Sequence, residues 1–138
     1  MPAYDYEKVF CAKGPTSPDG YIWMPIIKIW LIHGKYKHRF GAVVDSGADH
    51  TTLPCSLAPA FGLDAATGQP VEMNGISGQV IGYYHEGFQV KIADHTVDLP
   101  VLFSPGLTAI LLGRHKVFEY FKVSFDQKLL KIRLDPQR

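Results

Sequence analysis

Turn-forming residues divide this chain into short segments, which limits what it can fold into. Ten prolines and thirteen glycines are spread along 138 residues, and the apolar stretches between them are short. Because proline ends helices and glycine favours turns, a chain divided this often leaves little room for long helices. The spacing predicts an all-β domain of short strands.

Several segments have the composition of β-strands. Residues 24–32 and 36–44 are rich in β-branched and aromatic residues, and they predict a hairpin around a tight turn that contains a glycine. Residues 71–74 and 79–92 predict two arms around the glycine-bearing tip 75–78. Further elements are predicted as strands at 96–103, 109–112, 122–125 and 129–134 and as a helix of about two turns at 114–121.

Length and charge restrict the domain organisation and the class of partner. A mass of 15.4 kDa fits one domain, which we place at residues 21–138, preceded by an N-terminal leader or extension at residues 1–20. The 14 basic and 13 acidic residues give a net charge of +1, which favours neither a nucleic-acid nor a membrane partner. Neither a signal-like nor a membrane-spanning stretch is found, so the sequence predicts a cytoplasmic protein.

One motif joins an apolar strand to residues suited to catalysis. The sequence Ala-Val-Val-Asp-Ser-Gly-Ala-Asp at 42–49 leads three apolar residues into Asp45, Ser46 and Gly47. Such a strand carries a carboxylate into a water-poor place, and the hydroxyl can hold the loop by hydrogen bonding. The glycine lets the backbone turn sharply and leaves room for a second carboxylate. Alone, the tripeptide is also typical of a surface turn.

Two further segments give this motif a context. Residues 110–114, Ile-Leu-Leu-Gly-Arg, form an apolar strand that ends in Gly-Arg, and residues 74–78, Asn-Gly-Ile-Ser-Gly, form the predicted hairpin tip. This ordered trio resembles the retropepsin family of single-domain aspartic proteases over roughly residues 24–134. The resemblance implies a closed barrel or sandwich of short strands, with a flap hairpin and one short helix near the C-terminus.

The resemblance also implies a role for each residue of the aspartate loop. Asp45 is expected to be the catalytic aspartate, and Ser46 to supply a hydroxyl network beneath it. Gly47 is expected to offer its carbonyl to the substrate backbone. Ala48 completes the motif, and Asp49 matches a position that contacts the substrate main chain, so both are expected to bind substrate.

Five further positions of the resemblance lie outside that loop. Gly75 and Ile76 match the tip of the flap, and the amide of Ile76 is expected to reach a water that bridges to substrate. Leu111 is expected to line a pocket for a substrate side chain. Gly113 and Arg114 match the turn that supports the site, with the arginine paired to the second aspartate of the loop.

The sequence departs from the family pattern at four positions. His115 follows Gly-Arg where the family usually has asparagine or aspartate, and His50 follows the second aspartate of the loop. Asn74 and Ser77 replace glycines of the flap. These differences concern the contacts of the turn, the mobility of the flap and the preference for substrate.

The chemistry implied by the resemblance requires two copies of the chain. Peptide hydrolysis by this route uses two carboxylates that share one proton, and Asp-Ser-Gly occurs once in the sequence. The second carboxylate must therefore come from a second copy across a two-fold axis. Residues 129–134 and the loop with Asp45 are the predicted interface. The prediction is a homodimeric aspartic endopeptidase that cleaves an extended polypeptide and needs no metal or other cofactor.

Three other interpretations of the sequence are a metal site, a cysteine nucleophile and a domain without catalytic activity. The six histidines lack the close spacing that a zinc site requires, so they predict no metal site. Cys55 lies near His50 in the sequence, and a thiol nucleophile with a histidine base is conceivable, although cysteine is more often a small buried hydrophobic residue. Finally, a retropepsin-like domain can be a catalytically silent dimerisation or peptide-binding module, because fold does not fix function.

Overall fold

The computed structural model describes residues 3–75 and 78–137. The described strands are listed here in chain order with the helix: β1 (Ala3–Asp5), β2 (Glu7–Phe10), β3 (Tyr21–Met24), β4 (Ile26–His33), β5 (Tyr36–Val44), β6 (Thr52–Pro54), β7 (Gln69–Gly75), β8 (Gly78–Ile92), β9 (His95–Ser104), β10 (Ile110–Leu112), α1 (Val117–Tyr120), β11 (Phe121–Asp126) and β12 (Lys131–Pro136). Two 3-10 helices, Cys55–Phe61 and Ala65–Thr67, join β6 to β7. Strands account for 60% of the residues and helices for 11%, so the prediction of an all-β fold is confirmed.

Seven strands form the main sheet, in the order β4-β5-β10-β6-β9-β8-β7. Strand β4, at one end of this order, also pairs with β8 near the other end, so the sheet is strongly curved. Alternate residues of β4 and β5 face inward, and Ile27, Leu31 and Val44 are almost completely buried there. Burying these side chains is the main stabilising contribution to the fold, because each removes a large apolar surface from water.

A three-stranded sheet joins the two ends of the chain. Strand β1 pairs antiparallel with β12, which pairs on its other side with β11. Directly after β1, Tyr6 belongs to the hydrophobic core and its backbone N–H donates to the Leu130 carbonyl at 2.8 Å. Strands β2 and β3 form a separate two-stranded sheet. Residues 3–10 are therefore ordered and packed against the domain.

The C-terminal strand β12 belongs to the segment that the sequence predicts as an interface, with its apolar residues facing either a partner or the core. Residues 131–133 of β12 are paired with β1 on one edge and with β11 on the other, and Ile132 and Leu134 are completely buried in the core. Leu130 lies in the preceding turn, with a positive φ of 54°. Backbone groups of residues 131–133 that are already paired on both sides cannot pair in the same way with a strand of a second copy.

The helix near the C-terminus is shorter than the predicted 114–121. It spans Val117–Tyr120, and Lys116 before it has a positive φ of 70°. The backbone N–H groups of Arg114 and His115 donate to a neighbouring loop instead of to a helical turn, and Phe121 already belongs to β11. Tertiary hydrogen bonds at one end and strand pairing at the other therefore limit this helix to four residues.

Strands β7 and β8 form the predicted hairpin. Their register runs from Gln69↔Tyr84 to Gly75↔Gly78, and the tip residues 76 and 77 lie outside the described residues. Residues 79–82 of β8 pair only with β7, whereas residues 88–91 pair with β4 on one side and β9 on the other. The outer half of the hairpin is thus a two-stranded ribbon.

Within the described residues, no helix has the length and apolar character needed to cross a membrane.

Candidate active site

Strand β5 positions Asp45 at the centre of the candidate site. Ala42 and Val44 point into the core and fix the strand, so the next residue leaves it at a defined place. The parallel neighbour β10 lies alongside, with Leu112 opposite Val44, and the Asp45 backbone N–H donates to the Leu112 carbonyl at 3.0 Å. The chain therefore delivers this aspartate from a buried strand to a half-buried position next to the end of β10.

A tight turn holds the carboxylate of Asp45. The Gly47 backbone N–H donates to Asp45 Oδ1 at 2.8 Å, and the Ala48 N–H donates to the Asp45 carbonyl at 3.2 Å. A Cβ at Gly47 would lie only 3.2 Å from Asp45 Oδ1, so glycine gives the carboxylate its room. Ser46 and Gly47 are exposed, which leaves this face of the loop open to an approaching molecule.

The loop is joined to the turn that follows β10 by paired backbone and side-chain contacts. Arg114 N–H donates to the Ala48 carbonyl at 2.9 Å, and His115 N–H donates to the Asp49 carbonyl at 2.8 Å. The Arg114 guanidinium also donates to the Asp49 carboxylate, an exposed ion pair. The pairing of Asp49 with Arg114 that the resemblance implied is therefore present.

Gly113 fits into this junction because it has no side chain. A Cβ at this position would overlap the carbonyl of His50 and lie 2.9 Å from the Thr51 nitrogen. The Gly113 N–H is buried and donates to the Thr51 hydroxyl at 3.2 Å. Glycine is thus required here by the close approach of two backbones rather than by a left-handed conformation.

The remaining predicted site residues belong to different elements. Leu111 is half-buried on β10, opposite Val43 of β5 on one side and Thr52 of β6 on the other. Gly75 lies at the end of β7, opposite Gly78, while Ile76 lies outside the described residues. The structure therefore brings residues 45–49 together with 111–114, and it places Gly75 at the end of the hairpin.

Cys55 lies in surroundings that disfavour a nucleophilic role. It lines a cavity of about 360 Å³ together with apolar side chains such as Leu63 and with Tyr83. Burial raises the pKa of the Cys55 thiol, so the thiolate that nucleophilic attack requires is disfavoured. Among the described residues, no group of three or more histidine, cysteine, aspartate or glutamate side chains is arranged to hold a metal ion.

Two features of the site could not be recognised from the sequence. Thr51 provides the hydroxyl that satisfies Gly113, although the two residues are 62 positions apart. His50 and His115 lie with their ring centroids 4.7 Å apart, across the same junction. The sequence marked both histidines only as departures from a family pattern. Their contact depends on the pairing of β10 with β5 and β6, which brings the two segments together.

The all-β fold joins an Asp-Ser-Gly loop to a Gly-Arg turn, which is the arrangement that the resemblance to the aspartic proteases implied. A profile of the aspartyl protease family matches residues 31–115, which is more than half of the chain. The chain therefore belongs to the aspartyl protease family, in the retropepsin-like clan. A search of curated proteins gave no significant match.

Proposed function

We propose that this protein is a homodimeric aspartic endopeptidase in which each subunit contributes Asp45 to a shared catalytic pair. The observation that carries the proposal is the position of Asp45, at the end of a buried strand and in a turn whose outer face is exposed. Membership of the aspartyl protease family supports aspartic protease activity in general. The pairing of Asp45 across two subunits and the class of substrate are proposed in addition to this general activity.

A second carboxylate from the same subunit is a poor alternative. Asp49 is the nearest acid in the sequence, but its carboxylate binds the Arg114 guanidinium and its side chain is 79% exposed. This carboxylate is engaged by the arginine, whereas the reaction requires two carboxylates that share one proton with each other. A two-fold axis beside Asp45 supplies an identical carboxylate instead.

The proposed mechanism needs only the two carboxylates and water. The ionised carboxylate takes a proton from a water, whose oxygen attacks the scissile carbonyl carbon, while the protonated carboxyl gives its proton to the carbonyl oxygen. The resulting tetrahedral diol collapses as one hydroxyl returns its proton to a carboxylate. The leaving nitrogen takes a proton from the pair, and the C–N bond breaks to give an acid and an amine.

The substrate is proposed to be a polypeptide in extended conformation. Such a chain can add to the site like a strand, because its backbone N–H and C=O groups are free to pair. Gly47, Ala48 and Asp49 would contact its backbone from below, and Gly75 and Ile76 would contact it from the hairpin. Gly47 and Asp49 are exposed and Ala48 is half-buried, and this position close to Asp45 supports the assignment of the three loop residues.

Four further residues are assigned supporting or specificity roles in the proposed enzyme. Leu111 would line a pocket for a side chain of the substrate, and the Ser46 hydroxyl would hydrogen-bond the loop beneath the carboxylates. Gly113 and Arg114 would hold the loop through the contacts already described. Residues 21–138 would form the catalytic domain, with residues 1–20 as an extension attached to it partly through Tyr6.

The first prediction concerns Asp45 itself. Asp45→Asn should abolish cleavage of a peptide library while the fold is kept, because the amide is nearly the same size but cannot share a proton. The matched control is Asp19→Asn, since that aspartate also precedes a glycine in a turn but lacks the intervening hydroxyl residue. Cleavage products are measured by mass spectrometry, and circular dichroism checks the fold.

Two outcomes would contradict the proposal. Cleavage by Asp45→Asn at the wild-type rate would remove Asp45 from the mechanism. A well-folded wild-type protein that cleaves no member of the library at any pH, yet binds peptides or dimerises, would favour the catalytically silent module.

A further inference from the structure

Two histidines lie in contact beside the candidate active site. His50 follows the aspartate loop, and His115 follows the Gly-Arg turn after β10. Their ring centroids are 4.7 Å apart with the planes tilted by 41°, and both residues are half-buried. The contact therefore bridges the two segments whose junction holds Asp45 in place.

The charged groups around this pair are distributed unequally. His115 Nδ1 lies 3.8 Å from the Glu119 carboxylate, one helical turn further along the chain. Asp49 directly precedes His50 and acts on it as a negative charge, but its carboxylate already binds the Arg114 guanidinium. A proton on His115 thus has an acid to pair with, whereas a proton on His50 has a carboxylate that a cation already occupies.

This distribution favours a neutral His50 in the folded protein. Burial lowers the pKa of His50, and the neighbouring His115 lowers it further, against a smaller opposing effect of Asp49. Two protonated rings in contact would repel each other, with Arg114 adding a third positive charge nearby. The neutral form of His50 is therefore favoured while His115 lies in contact with it.

We propose that His50 and His115 form a proton-sensitive clamp, which holds the aspartate loop against the Gly-Arg turn while His50 is neutral and releases it when both rings are protonated. Both histidines are positioning residues in this proposal. The release of the loop is a property of the chain alone, while its effect on catalysis rests on the proposed function.

The clamp acts where the loop and the turn are also joined by backbone hydrogen bonds. Arg114 N–H donates to the Ala48 carbonyl, and His115 N–H donates to the Asp49 carbonyl. Ala48 and Asp49 lie between Asp45 and His50 in the sequence, and Arg114 directly precedes His115. Repulsion between the rings therefore strains the same junction that positions the catalytic carboxylate.

The direction of the pH dependence follows from the lowered pKa. The unfolded chain binds a proton at His50 near the ordinary value of 6.5, before the folded protein does so as the pH falls. The stability that neutral His50 contributes is therefore complete above this value. It is lost as the pH falls through the lowered pKa of the folded state.

The test reads the coupling between the two rings directly. The pKa of His50 is measured from its imidazole NMR signals in wild type and in His115→Gln. The clamp predicts a value below 6.5 in wild type that rises in the variant, because one of the two lowering influences has been removed. His33→Gln is the control, since that ring stacks on Phe88 and bonds the Gly87 carbonyl instead. An unchanged His50 pKa in His115→Gln would overturn the proposal.

A second measurement tests the positioning role. The pH profiles of thermal unfolding and of kcat/KM are compared for wild type, His50→Gln and His115→Gln. The acid limb of both profiles should move to lower pH in His50→Gln, and an unchanged limb in both variants would overturn the role. If no protein cleaves at any pH, the proposed function fails, but the NMR and unfolding measurements still decide the clamp. If His50→Gln does not fold, His115→Gln alone decides it.

Discussion

At the scale of single residues, the candidate site depends on backbone groups that have been removed from water. The Gly113 N–H is buried, and the Thr51 hydroxyl accepts its hydrogen at 3.2 Å. Thr51 itself is 1% exposed, so no bulk solvent can replace its hydroxyl. A buried donor left without an acceptor costs free energy in proportion to its lost hydration. Thr51 therefore stabilises the turn that supports Asp45.

The prediction at this scale concerns the hydroxyl of Thr51. Thr51→Val keeps the shape of the side chain but removes the acceptor, so the free energy of unfolding should fall by about 1–3 kcal/mol. Thr51→Ser keeps the acceptor and is the matched control, with the smaller cost of one lost methyl group. Urea unfolding measures both variants. An unchanged free energy of unfolding in Thr51→Val would show that the hydrogen bond does not explain the role of Thr51.

Local sequence was sufficient for some of these residues and not for others. Asp45 could be predicted because the apolar strand before it and the serine and glycine after it are neighbours in the chain. Thr51 carries no such local pattern, since its partner is 62 residues away. The contact between His50 and His115 likewise depends on which strands pair, which no short window of sequence reveals.

At the scale of elements, the hairpin of β7 and β8 has two parts with different support. Residues 78–82 of β8 pair only with β7, and Val80 and Ile81 are exposed. Further along, Val90 of the same strand pairs with Leu31 on one side and Val97 on the other, and it is completely buried. A two-stranded ribbon is only marginally stable in water, so the outer part is expected to open more readily.

Hydrogen exchange tests this difference between the two parts of the hairpin. Amides of 79–82 should exchange faster than amides of 88–91. Local opening of 79–82 disrupts the pairing with one neighbouring strand, whereas opening of 88–91 disrupts the pairing with two. A peptide analogue with a hydroxyl in place of the scissile amide should slow the amide exchange of residues 79–82 if this outer part of the hairpin closes over substrate. Equal protection of both parts in the free protein would contradict a mobile flap.

The prediction of elements succeeded where composition and turns agreed. Strand β5, Tyr36–Val44, has the predicted bounds because a glycine turn precedes it and the Asp-Ser-Gly turn ends it. Strand β1, Ala3–Asp5, was not predicted, since three residues give no alternating pattern. Its partner lies at the other end of the chain, where Ala3 is opposite Arg133. Such pairing arises from tertiary packing, which overrides weak local preference.

At the scale of the whole molecule, one subunit leaves the candidate site open. Ser46 and Gly47 are exposed. Asp45 is not among the lining residues of the cavity of about 620 Å³ formed by residues of β8 and β9 with Gly34 and Lys116. Residues 131–133 of one predicted interface segment are already paired on both edges, and the loop with Asp45 is the other predicted segment. A second copy placed there would cover the exposed turn and complete the catalytic pair.

Dilution tests whether activity belongs to the dimer. The specific activity per chain should fall once the protein concentration drops below the dissociation constant of the dimer, and it should return when the concentration is raised. Activity and mass are measured on the same samples, by peptide cleavage and by light scattering. Full specific activity in a sample shown to be monomeric would contradict the shared pair.

The most direct test of the shared pair is the activity of mixed dimers. Wild-type protein and Asp45→Asn are unfolded together in equal amounts and refolded, so that random pairing leaves about a quarter of the dimers with two aspartates. The account predicts that activity falls to about this fraction of an equal amount of refolded wild type, while a mixture with Asp19→Asn keeps full activity. Activity that falls only to about half, in proportion to the wild-type chains present, would contradict a catalytic pair shared between two subunits.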